Sequence, residues 1–153
     1  MHNTENTPLK NHSFSIKDEN KMTNFAQRYA KNVKKNENIC LFGDLGAGKT
    51  TFCRQLIKIL TKNSDINVPS PTFTLVQSYE APESLITHFD LYRLEDPDEL
   101  DELDWDDAIA STITLIEWPD RASGRLPKTR TEIHIQNDPN DPNMRHITVK
   151  DIT

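Results

Sequence analysis

The sequence predicts an α/β sandwich built around a mixed sheet, and three observations lead there. A full match to G-x-x-x-x-G-K-[ST], the phosphate-cradling P-loop pattern, runs Gly43-Asp44-Leu45-Gly46-Ala47-Gly48-Lys49-Thr50. It follows the apolar run Ile39–Phe42 and opens the amphipathic run Thr51–Leu60, the strand–loop–helix context that the pattern needs. Strand-like and helix-like segments alternate through the first half and strands crowd together in the second. The sheet is therefore expected to combine parallel and antiparallel pairs in a three-layer P-loop NTPase sandwich.

In chain order, the polar stretch Met1–His12 lacks an apolar core and is expected to be a flexible lead-in rather than a signal peptide, leaving 13–153 as a single domain. Asp18–Lys35 reads as a helix with Met22, Phe25, Ala26, Tyr29, Ala30 and Val33 on one face. Then come the strand Ile39–Phe42, the P-loop, and its helix to about Lys62. Val68-Pro69-Ser70-Pro71 holds the chain extended. Thr72–Tyr79 and Leu85–Tyr92 are rich in β-branched and aromatic residues and form an expected strand pair around Ala81-Pro82. Asp96-Pro97-Asp98-Glu99 is a helix start, with Asp96 as N-cap and Glu99 closing a capping box, and one or two short helices should reach about Ser111. Ile113–Glu117 is a buried-strand run. Thr131–Gln136 and His146–Val149 close the sheet across the Asn/Asp/Pro-rich loop 137–143.

A chain of 153 residues suits one domain, and a mean hydropathy of −0.70 with no run of 18 apolar residues argues against a membrane span. The net charge is −6, but nine carboxylates without a single Lys or Arg lie between Glu95 and Asp107, and the remainder carries more bases than acids. This does not indicate a broad nucleic-acid-binding face and leaves the acidic segment as a solvated helix face or a dock for a basic partner. Cys40 and Cys53 form no metal-type spacing, which fits buried thiols in a cytoplasmic protein.

The chemistry follows from the loop. Glycines let backbone N–H groups turn inward around phosphate, and the helix start adds partial positive charge. Lys49 would reach the β- and γ-phosphates and Thr50 would ligate Mg²⁺. A second hard oxygen ligand is expected at a strand end, and Asp90 and Glu117 both qualify. Thr72 is either a γ-phosphate sensor or an ordinary strand threonine; Trp118 a lid or a packed aromatic; His88 reads as structural. No base-reading N-K-x-D element is present, so ATP, giving ADP, is the expected nucleotide rather than GTP. A small-molecule kinase would need an arginine-bearing lid, for which only Arg121–Arg125 offers itself.

Four runs together, Gly43–Phe52, Ser70–Val76, His88–Leu94 and Ile116–Pro119, resemble the bacterial ATPase family TsaE (also called YjeE) over about Asp18–Val149. The resemblance implies a small cytoplasmic ATPase that serves tRNA threonylcarbamoyladenosine formation with two partners, the transferase TsaD and the scaffold TsaB, so that tRNA is met only through the complex. It assigns phosphate binding to Lys49 and the loop from Gly43 to Thr51, and Mg²⁺ to Thr50 and Glu117. Asp90 becomes the Walker-B-like carboxylate, Thr72 a switch residue and Trp118 a neighbour of the site. Glu19 would lie near the adenine or ribose, and Arg145 matches a Gly-Arg pair, although Met144 stands where that glycine would be. Many family members also have a glycine after the Glu-Leu stretch, where this chain continues Asp101-Glu102-Leu103-Asp104.

Overall fold

A computed structural model describes residues 9–153. The strands are β1 (His12–Ile16), β2 (Asn38–Phe42), β3 (Val76–Glu80), β4 (Leu85–Asp90), β5 (Ile113–Glu117), β6 (Arg130–Asn137) and β7 (Arg145–Ile152). The α-helices are α1 (Glu19–Ala30), α2 (Lys49–Thr61) and α3 (Trp105–Ser111), with 3-10 segments at Pro97–Leu103 and Pro119–Ala122. One seven-stranded sheet has the order β1-β7-β6-β2-β5-β4-β3. Its centre, β6-β2-β5-β4, is parallel; β3 on one side and β7 and β1 on the other are antiparallel.

The central strands read as unbroken apolar runs because both of their faces are buried. Ile39, Leu41, Leu115, Ile133 and Ile135 face α1 and α2, while Cys40, Phe89 and Ile116 face Leu100, Trp105, Ala108 and Ala122 on the other side. The α1–α2 layer is closed by rings: Phe25 and Phe52 lie 5.7 Å apart, and Tyr29 meets Phe52 edge-on at 5.8 Å. In-register pairing sets Asp90 of β4 beside Glu117 of β5, and Glu117 beside Leu41 of β2. Three carboxyl strand ends thus open onto one edge, the position where open α/β sheets bind ligands.

Four expectations are corrected. Of the predicted lead-in, residues 1–8 lie outside the described part, but Leu9 is buried and His12 already begins β1 against β7. Helix α1 stops at Ala30 rather than Lys35: Asn32 N–H turns back to Tyr29 O, and the Tyr29 hydroxyl donates to the buried Glu37 carboxylate, which draws the chain off the helix path. The strand expected from Thr72 begins at Val76, because Leu75 N–H closes a turn onto Pro71 O (2.6 Å) with Leu75 at φ 69°. The acidic segment starts as a 3-10 helix, with Asp96 capping Asp98 N–H at 3.0 Å, while Glu99 reaches Glu95 N–H instead of the cap residue's own.

Candidate nucleotide site

The P-loop leaves the end of β2 under close constraint. A Cβ on Gly43 would stand 2.6 Å from Ile135 O of β6, so only glycine lets the loop backbone press against that strand. Gly46 (φ 78°) and Gly48 (φ 113°) take left-handed conformations that turn the chain into α2. Helix α2 begins with no side-chain cap and no acid in its first turn, whereas Asp18 caps α1 by accepting from Lys21 N–H. Its N-terminal amides and the positive end of its dipole therefore remain available to an anion. Arg145 braces the loop from β7: Nε donates to Ala47 O at 3.2 Å and Nη2 to Gly46 O at 3.5 Å, while Nη1 holds Pro142 O at 2.7 Å.

Around that helix start the polar side chains converge. Lys49 is buried, donates to Gly43 O and to Asp44 O (3.1 Å), and lies 3.9 Å over the Trp118 ring. Burial lowers its pKa from the usual lysine value, opposed by the nearby Glu117 and Asp90 carboxylates. Thr50 donates its hydroxyl to Glu117 Oε1 at 2.7 Å. Thr72, brought in by the Pro71–Leu75 turn, donates to Asp90 Oδ2 at 3.1 Å and pairs with Ser70 at 2.8 Å. Asp90 Oδ1 accepts from Tyr92 N–H at 3.0 Å, which fixes the second carboxylate. Trp118, at φ 57°, turns its ring over Lys49 and against Tyr92, with ring centroids 5.0 Å apart.

These groups line a cleft of about 300 Å³. The Thr50 hydroxyl and the Glu117 and Asp90 carboxylates form a set of hard oxygen donors beside an anion cradle, which fits Mg²⁺ bound with a nucleotide phosphate. A larger groove of about 1300 Å³, between α1 and the β3–β4 turn, contains none of these residues.

Residues 16–147 match the family described as "Threonylcarbamoyl adenosine biosynthesis protein TsaE". The chain belongs to the TsaE family. Among TsaE proteins, that of Rickettsia bellii is 38% identical over 133 residues, covering 87% of this chain and 92% of its own length. The Rickettsia prowazekii protein is 41% identical over 126 residues, covering 82% and 85%. The crystal structure of YdiB from Bacillus subtilis superimposes with a TM-score of 0.73 at 25% identity, covering 96% of this chain and 89% of that one.

Of the site residues read from this TsaE sequence, Asp44 to Thr51, Thr72, Asp90, Glu117 and Trp118 line the one cleft, and Gly43 meets it through the Lys49 contact. Arg145 reaches the loop only through its carbonyl oxygens. Glu19 opens α1, is exposed, and stands outside the cleft lining; α1 touches the loop one turn later, where Met22 Cε lies 3.2 Å from a Cβ placed on Gly48. Ser70 and Tyr92 also line the site and were not singled out in the sequence. Both flank residues that were, Ser70 two before Thr72 and Tyr92 two after Asp90. His88, which the sequence suggests is structural, lies behind Glu117 with Nε2 2.7 Å from Oε2.

Proposed function

We propose that this protein is the Mg²⁺-dependent ATP-hydrolysing subunit of the machinery that forms N6-threonylcarbamoyladenosine at A37 of tRNA, acting in the cytoplasm. It would work with a TsaD-like transferase and a TsaB-like scaffold and meet tRNA through them. The convergence of Lys49, Thr50, Glu117, Asp90 and Thr72 at the uncapped start of α2 carries this reading. Family membership supplies the biosynthetic context.

Phosphoryl transfer to water depends on positioning and charge stabilisation. The α2 amides and Lys49 would hold the β- and γ-phosphates, and Thr50 with Glu117 and Asp90 would hold Mg²⁺, which supplies charge neutralisation when bound. Thr72, hydrogen-bonded to Asp90, would sense the γ-phosphate or orient water. The cleft is small, and Leu45 and Phe73 stand exposed beside it, 66% and 79% accessible. Turnover by the isolated chain should therefore be slow and should rise when a partner closes over this edge. ATP binding and hydrolysis would gate the transferase or reset it after each cycle. Of the two arginines a kinase lid would use, Arg125 is held away by Pro97 O (3.0 Å) and Asp101 (2.6 Å), while Arg121 lies 5.9 Å over the ring of Tyr92 at the cleft.

The test is ATP turnover by the protein alone and with its cognate transferase and scaffold added. A rise of about tenfold or more supports a partner-gated ATPase. Clear ATP binding with no rise would leave a nucleotide-binding module, and turnover stimulated by a small acceptor would indicate a kinase.

A further inference from the structure

Behind Glu117 sits a histidine that does not line the nucleotide cleft. His88 is wholly buried on β4, and Glu117, two positions beyond its register partner Leu115 on β5, is 1% exposed. Glu117 Oε1 accepts from Thr50 at 2.7 Å and Oε2 lies 2.7 Å from His88 Nε2. A carboxylate only accepts, so the proton of this second bond belongs to Nε2. The other ring nitrogen, Nδ1, has no hydrogen-bond partner among the described residues. Leaving a buried nitrogen unpaired is costly, and an apolar side chain would fill this space without that cost. Among the described residues, the ring's one polar contact is with Glu117. Cys53 of α2 has its sulfur within 4.8 Å of both groups, but burial pushes its thiol pKa well up, so it stays neutral beside them.

We propose that His88 is a positioning residue for Glu117. Its Nε2–H clamps one carboxylate oxygen so that the other is presented to Thr50 and to a divalent cation held there. The proposal rests on the nucleotide reading. A glutamate end group otherwise rotates freely, and a second donor behind a ligating carboxylate holds its orientation and raises metal affinity.

The experiment measures Mn²⁺ binding to the ADP-loaded protein by electron paramagnetic resonance, with ADP binding in EDTA as the control. His88→Leu, which fills space without a donor, should weaken Mn²⁺ by about 10- to 100-fold while leaving metal-free ADP affinity unchanged. His88→Gln, which can return an N–H, should recover most of that loss. Native Mn²⁺ affinity in His88→Leu overturns the proposal, as does an equal loss in both variants. Should His88→Leu not fold, ¹⁵N-histidine NMR of the unmodified chain decides: a proton on Nε2 supports the clamp and a ring protonated at Nδ1 alone overturns it. Failure of the unmodified chain to bind ADP overturns the nucleotide reading and this proposal with it. Normal ADP binding with unchanged Mn²⁺ affinity in His88→Leu overturns this proposal alone.

Discussion

Thr50, the first-turn hydroxyl of α2, donates to Glu117 at the end of β5 across 2.7 Å, joining residues 67 positions apart. That bond ties the phosphate loop to the sheet edge and puts a hydroxyl and a carboxylate where one hard cation can take both. Glu117→Ala should keep metal-free nucleotide affinity within about threefold and lose about 100-fold or more of Mg²⁺-dependent turnover. Full turnover in that variant would shift the metal role to Asp90.

The loop glycines should respond unequally to an added methyl group. Gly43→Ala drives a Cβ against Ile135 O, while at Gly46 nothing lies within 4 Å and only the left-handed backbone is strained. Gly46→Ala is expected to cost about 1–2 kcal/mol, and Gly43→Ala a further ~1–3 kcal/mol from overpacking. Thermal melts compare them directly, and equal midpoints would contradict the packing described for β2 and β6.

Much of the site was legible because its signal is local. The P-loop is contiguous in sequence, and Asp90 and Glu117 each end an apolar run. Their joint placement, and the His88–Glu117 bond, depend on how β4 and β5 lie side by side in register, and no single run of residues encodes that. The β-branched and aromatic run Thr72–Tyr79 predicts a strand, yet the Pro71–Leu75 turn overrides that propensity and carries the Thr72 hydroxyl to Asp90. Strand β1 was hidden in a polar stretch. Its alternation of Phe14 and Ile16 was the available signal, and pairing with β7 supplies the rest of its stabilisation.

On the sheet face remote from α1 and α2, stability should carry a carboxylate's pH signature. Burial alone would raise the Glu132 pKa, but hydrogen bonds from His134 (3.0 Å) and Arg130 (2.8 Å) hold it below the usual range. A folded pKa below the unfolded one gives stability that is present above the unfolded value of about 4.3 and is lost as pH falls through the folded value. Glu132→Gln should therefore melt lower than the native chain at pH 6, with the gap narrowing toward pH 3. A gap that stays constant would show that Glu132 contributes by packing alone.

Both thiols should be silent in the native state. Burial pushes Cys40 up to about 12 and Cys53 well above its ordinary value, and both are free and enclosed. A thiol reagent at pH 8 should label neither until denaturant is added, and then both. Rapid labelling of either in the native protein would show that the sheet or α2 opens locally.

The central claim is that the cradle at the start of α2 binds a nucleoside triphosphate through Lys49. Calorimetric titration of ATP with Mg²⁺ into the native chain and Lys49→Ala tests it most directly. Loss of a charge-assisted contact predicts binding by the native protein and a fall of about 10- to 100-fold in the variant. Equal affinity in the two proteins, with both folded, would contradict it.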